Sequence, residues 1–150
     1  LRNSSDVEAL VRGLRDGVID FIATDHAPHS SAEKLCPFND AANGISNFET
    51  ALGSAMSLVH SGDLTLPLLI EKMSTSPAKF LGTSFGTLKV GAPADVVIID
   101  PKKDWLVQSS KFESAGRNTP LDGTSLKGKV MATIAGGEVK YLSQEISDVH

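Results

Sequence analysis

At 150 residues the chain is long enough for one ordinary domain with a sizeable core. A net charge of −4 and a pI near 5.5 argue against a nucleic-acid partner, which calls for a basic footprint. No apolar run is long enough to span a bilayer, and no basic-then-apolar leader opens the chain. A single cysteine, Cys36, excludes an intrachain disulfide and fits a reducing cytoplasm.

Ser5-Asp6-Val7-Glu8 has the form of a capping box and predicts a helix start. Val7, Leu10, Val11, Leu14 and Val18 then mark one apolar face, and Gly17 is placed to close the helix in the left-handed conformation. Asp20-Phe21-Ile22-Ala23-Thr24 reads as a short parallel strand covered on both faces, because it is an apolar run directly after a helix. Such a strand delivers Asp25, His26 and His29 at its carboxyl end, where α/β folds place their chemistry. Taken alone these residues leave two readings open. An Asp after a strand is often the cap of a turn, Pro28 marks a turn here, and loop histidines are more often structural than ligands.

Residues 27–45 form a long polar loop with Pro28, Pro37 and Gly44, a length that is uncommon unless a loop covers a site. Within it, Glu33-Lys34 is an exposed ion pair or a brace. Ser46-Asn47-Phe48-Glu49 reads as a second capping box, which accounts for Glu49 without catalysis. Phe48, Leu52, Ala55, Met56 and Val59 form the apolar face behind it, and Gly62 is the stop. His60 near that end suits the helix dipole. Thr65 starts another helix with Leu69, Ile70 and Met73 inward; Ser76-Pro77 starts a short one that Gly82 ends. Beyond Gly86 the period becomes two. Residues 94–99 and 105–107 are β runs, and Val130, Ala132 and Ile134 alternate into Gly136-Gly137 and back through Val139 and Tyr141 as a hairpin. A polar tail follows, in which His150 carries no metal signal.

Thr24-Asp25-His26-Ala27-Pro28-His29 resembles the late active-site motif of the class I dihydroorotases, in the amidohydrolase superfamily. The resemblance continues in order through Asp16-Gly17-Val18-Ile19-Asp20, Glu33-Lys34, Asn43-Gly44-Ile45, Glu49-Thr50 and Ser76-Pro77-Ala78. It closes with Gly91-Ala92-Pro93-Ala94-Asp95 and Asn118-Thr119-Pro120. It implies an α/β fold: the carboxyl-terminal part of a (β/α)8 TIM-barrel metal-dependent hydrolase, followed by strands of a composite β-sandwich. Residues 1–85 would be the last barrel units, the active-site loop and the terminal helices, and residues 86–150 the sandwich portion and tail. A whole barrel needs at least ~200 residues, so the chain is expected to be part of something larger.

The resemblance also implies a function: reversible, zinc-dependent hydrolysis of dihydroorotate to N-carbamoyl-L-aspartate in pyrimidine synthesis, with two zinc ions per full-length subunit. Asp25 is the implied metal ligand and the catalytic base, then acid. His29 is the implied side-chain contact to the anionic substrate, and Asn43 and Gly44 the contacts to its ring through the loop backbone. His26 supports them from behind. The family more often carries Phe before that glycine, so Asn43 is a departure. The early His-x-His, the bridging group and two further metal histidines are expected upstream of Leu1, which makes the chain inactive by itself. A homodimer and aspartate transcarbamoylase are the macromolecular partners the resemblance allows, and the cytoplasm the location. The alternatives are a non-catalytic scaffold for that transcarbamoylase and a related cyclic amidase, a dihydropyrimidinase or allantoinase.

Overall fold

The computed structural model describes residues 3–147; Leu1, Arg2 and His150 lie outside them. Helix α1, Ser4–Arg15, buries Leu14 and is followed by Gly17 at φ +76°, as its sequence predicts. Its start differs. Asn3 is the N-cap and makes no side-chain cap bond, so Ser5-Asp6-Val7-Glu8 is not a capping box. Ser5 already lies inside the helix, without the extended backbone that a cap requires. Val7, Leu10 and Val18 are exposed.

Residues 20–24 are extended without joining a sheet. The Ile22 N–H donates to the Lys72 carbonyl at 2.9 Å, and the Lys72 ammonium donates back to the Ile19 carbonyl at 2.6 Å. Phe21 packs against Phe80 with ring centroids 5.2 Å apart. The expected strand is therefore not formed among the described residues, because a parallel strand takes its partners from neighbouring strands and none lies beside it.

The loop that follows contains a short helix, α2, Ser31–Lys34. Helix α3, Ala51–His60, buries Met56 completely and stops at Gly62, φ +84°. It begins five residues after Ser46, so the second capping box is also not formed, and Phe48 is exposed rather than inward. Helix α4, Leu66–Ile70, is capped by the Thr65 hydroxyl, which accepts the Leu68 N–H at 3.3 Å. Leu69 is fully buried, whereas Ile70 is exposed. A wider turn of π geometry, Glu71–Thr75, carries α4 straight into α5, Ser76–Phe80. Pro77 is the physical reason: it has no N–H for the carbonyl four residues back and crowds it. The wider turn absorbs this, with the Ser76 N–H reaching five back to Glu71.

Strand β1, Val96–Leu106, joins the two expected β runs into one and carries Pro101. It is an edge of a three-stranded sheet ordered β1-β2-β3, where a strand proline is tolerated. Strand β2, Ser125–Ala135, returns as β3, Glu138–Leu142, in an antiparallel hairpin pairing Ala135 with Glu138 and Ala132 with Leu142. Gly136 and Gly137 both have positive φ, +58° and +82°, as a two-residue hairpin turn demands. Helix α6, Gln144–Ser147, ends the described chain.

The chain divides into two compact units, one holding residues up to 23, 55–100 and from 130 onward, the other residues 24–54 and 101–129. The first unit has Leu14, Met56, Leu64, Leu69, Ala78 and Ala132 as its buried apolar residues. The second buries Val107 and Phe112, together with the polar Ser46 and Thr50. Buried polar groups need partners, and those partners build the site.

Candidate active site

Asp25 is the second residue of the second unit. Its φ is +48°, the one positive value at a non-glycine among the described residues, in a region that Asp tolerates better than most. The residue is exposed, and no hydrogen bond or ion pair engages its carboxylate among the described residues. Asn47 holds the residues on either side of Asp25, Thr24 by its backbone and His26 by its ring. Its Nδ2 donates to the Thr24 carbonyl at 3.1 Å, and its N–H donates to His26 Nδ1 at 2.9 Å. The Phe48 N–H points to the same ring nitrogen at 3.3 Å, and the Phe48 ring stacks on the imidazole at 3.8 Å between centroids. A nitrogen that accepts carries no proton, so the His26 proton sits on Nε2. His26 thus occupies the place that the capping box was expected to fill, satisfying free N–H groups ahead of α3.

His29, Asn43 and Gly44 come together. His29 Nε2 lies 2.8 Å from the Asn43 carbonyl, an acceptor only, so that nitrogen donates. His29 Nδ1 is 3.9 Å from Glu33 Oε2. Gly44 has φ +110°, and a Cβ there would stand 2.4 Å from the Ala27 Cβ, so only glycine fits. The Gly44 carbonyl accepts from Lys34 Nζ at 3.0 Å and from Asn118 Nδ2 at 3.1 Å. Lys34 also donates to the Ala42 carbonyl at 2.7 Å, so of the two roles open to Glu33-Lys34 the brace is the one formed. Glu33 instead completes a capping box with Ser30, which the spacing Ser30-Ser31-Ala32-Glu33 encodes. Hydrogen bonds from the Ser30 hydroxyl and N–H hold the Glu33 carboxyl below the usual carboxylate range.

Glu49 does not cap. Its Oε1 accepts the Ser114 N–H at 2.8 Å, and its Oε2 is buried without a partner among the described residues. Burial would raise its pKa, but the bonds from Ser114, helped by its own N–H and by His26, bring it below the ordinary 4.5. Ser46 likewise turns away from its helix: its hydroxyl donates to the Gly116 carbonyl at 2.7 Å and approaches Asn118 Oδ1 at 3.2 Å. Asn47 and Asn118 therefore organise the site, although neither carries a chemical signature in the sequence. The one available signal was that Asn118-Thr119-Pro120 closes the family resemblance.

No three His, Cys, Asp or Glu side chains converge as a metal site among the described residues. Asp25 fits one ligand position: it is an exposed carboxylate with no competing partner, but catalytic zinc takes three protein ligands.

The chain matches the amidohydrolase family over residues 1–140. It is 51% identical over 141 residues to a dihydroorotase of Citrifermentans bemidjiense, covering 94% of this chain and 33% of the relative. A dihydroorotase of Thermoanaerobacter is 51% identical over 142 residues, with the same coverage. The chain thus spans about a third of the length of these relatives. Among solved structures it is similar to the L-hydantoinase (dihydropyrimidinase) from Arthrobacter aurescens, with a TM-score of 0.85 and 33% identity, covering 93% of this chain and 32% of the other. The dihydropyrimidinase from Brevibacillus agri shares the fold at a TM-score of 0.86 with 24% identity, over 95% of this chain and 32% of its own. By its match over residues 1–140, the chain belongs to the amidohydrolase family.

Proposed function

We propose that the protein carrying this chain is a zinc-dependent dihydroorotase that opens dihydroorotate reversibly to N-carbamoyl-L-aspartate. The observation that carries this reading is the 51% identity to dihydroorotases across 94% of the chain. On this reading residues 1–85 belong to a (β/α)8 barrel and residues 86–150 to a composite β-sandwich. Two zinc ions would be held by Asp25 together with ligands from outside this chain, and the protein would act in the cytoplasm, as a homodimer.

Bound zinc would lower the pKa of water and polarise the amide carbonyl. What this chain supplies is proton transfer and binding. The attacking water must lose a proton and the leaving nitrogen must gain one, and a single unengaged carboxylate, Asp25, can carry it from one to the other. His29 is fixed through Nε2 on Asn43, and its other nitrogen, 3.9 Å from Glu33, would meet the substrate carboxylate only as Nδ1–H, with both ring nitrogens carrying protons. With their carbonyls engaged, Asn43 and Gly44 have their N–H groups left to offer the ring.

A second reading, a hydantoinase or dihydropyrimidinase, is favoured by the likeness to the Arthrobacter aurescens structure. Rates of ring opening for dihydroorotate, dihydrouracil and hydantoin separate the two. Dihydroorotate is expected to be preferred, and His29→Ala to weaken its use by about ten- to a hundredfold while sparing the neutral rings. Equal weakening of all three would remove the role given to His29. A preference for a neutral ring would favour the second reading, and no turnover of any ring a scaffold for aspartate transcarbamoylase.

A further inference from the structure

Asn118 lies 89 residues beyond His29 in sequence, yet its side chain meets both segments assigned to substrate. Its Oδ1 accepts the His29 N–H at 3.0 Å and lies 3.2 Å from the Ser46 hydroxyl, whose proton goes to the Gly116 carbonyl. Its Nδ2 donates to the Gly44 carbonyl at 3.1 Å, and its own carbonyl accepts the Ser46 N–H at 2.8 Å. The His29 N–H, a donor only, faces the oxygen and the Gly44 carbonyl, an acceptor only, faces the nitrogen, so the chemistry of the neighbours fixes which way the amide points. Gly116 makes this reach feasible: a Cβ there would fall 2.4 Å from the Pro28 Cβ and 3.0 Å from the His29 nitrogen. Residues 116–118 therefore lie directly against Pro28-His29, and one amide bridges two loop segments that, among the described residues, are otherwise joined by the side-chain bond of His29 Nε2 to Asn43.

We infer that Asn118 is a positioning residue for substrate binding, setting the spacing between His29 and the Asn43-Gly44 backbone. It touches neither Asp25 nor the groups that hold Asp25, namely Thr24, His26 and Asn47. Its loss should therefore weaken binding while leaving the proton-transfer step alone. The inference rests on the dihydroorotase reading for the identity of the ligand, not for the geometry.

The test is a double-mutant cycle between Asn118 and His29, measured on the protein as its source makes it, with melting temperature recorded for each variant. Asn118→Ala is expected to raise the KM for dihydroorotate about tenfold, with kcat within about twofold of the parent. Because Asn118 acts partly through His29, the double variant should raise KM by clearly less than the product of the two single effects. Multiplying effects, or an unchanged KM in Asn118→Ala, would overturn the assignment, as would a fall in kcat that leaves KM in place. Should Asn118→Ala fail to fold, Asn118→Asp serves. It keeps the acceptor for His29 but sets a carboxylate oxygen against the Gly44 carbonyl, and a raised KM at parental kcat is again expected. If the parent turns over hydantoin or dihydrouracil but not dihydroorotate, the functional reading fails while the cycle is still run on the ring that reacts. There Asn118→Ala must still raise KM at parental kcat, through the Gly44 backbone that it holds, or the inference fails separately.

Discussion

Residues 51–80 and residues 24–47 are stretches of similar length held in opposite ways. The first is helical and apolar: Met56 and Leu69 are fully covered, and Leu64 and Ala78 nearly so. Its backbone groups pair with near neighbours, so burial is its main tie. The second has one short helix and takes its ties from side chains that reach backbone groups, Asn47 to Thr24, Lys34 to Ala42 and Gly44, and Asn118 to His29 and Gly44. Removing bulk from the first should cost stability. Removing one polar atom from the second should cost geometry, and so function.

The largest expected effect is at Asp25. Asp25→Asn should lower turnover by about 10²–10⁴-fold without moving the unfolding midpoint, since Asn adopts positive φ as readily as Asp. Steady-state rates beside a denaturant titration decide it, and a retained rate would remove Asp25 from the chemistry. Next is Leu69→Ala, which should cost about 2–5 kcal/mol by cavity formation while leaving the rate per folded molecule unchanged. A loss of activity beyond the fraction unfolded would erase the contrast between the regions.

The smallest effect is at Glu49. Its folded-state pKa lies below its ordinary 4.5, so the unfolded chain takes up the proton first. The stability that Glu49 contributes is complete above about pH 4.5 and is lost as pH falls through the lowered folded value. The gap in unfolding midpoint between parent and Glu49→Gln should therefore be widest near neutrality and close below pH 4.5. A gap independent of pH would show that the Ser114 contact does not depend on the charge.

The same contrast explains what the sequence disclosed. Start and stop signals worked where backbone conformation decided the outcome: Gly17, Gly62, Thr65 and the Gly136-Gly137 turn all stand where they were expected. The apolar run at 20–24 forms no strand among the described residues, because a strand needs partners that the run itself does not encode. Both expected capping boxes failed for related reasons. Asn3 starts α1 ahead of Ser5, while Ser46 and Glu49 bond with Gly116 and Ser114 across a long sequence gap. The resemblance named His29, Asn43 and Gly44 as candidates, and the structure brings His29 Nε2 to 2.8 Å from the Asn43 carbonyl. Asn47 and Asn118 were not candidates, since an amide that works by holding backbone has no periodicity and no paired charge to reveal it.

The Lys34 brace has a kinetic consequence. Tying together a loop of about ten residues restricts the chain by an amount that grows only with the logarithm of its length, and here the restriction is imposed during folding. A ligand reaching residues 43–44 meets backbone that is already ordered, so little conformational freedom is lost on encounter. Its arrival would then be governed by diffusion and desolvation rather than by the microsecond-to-millisecond wait for a segment to close.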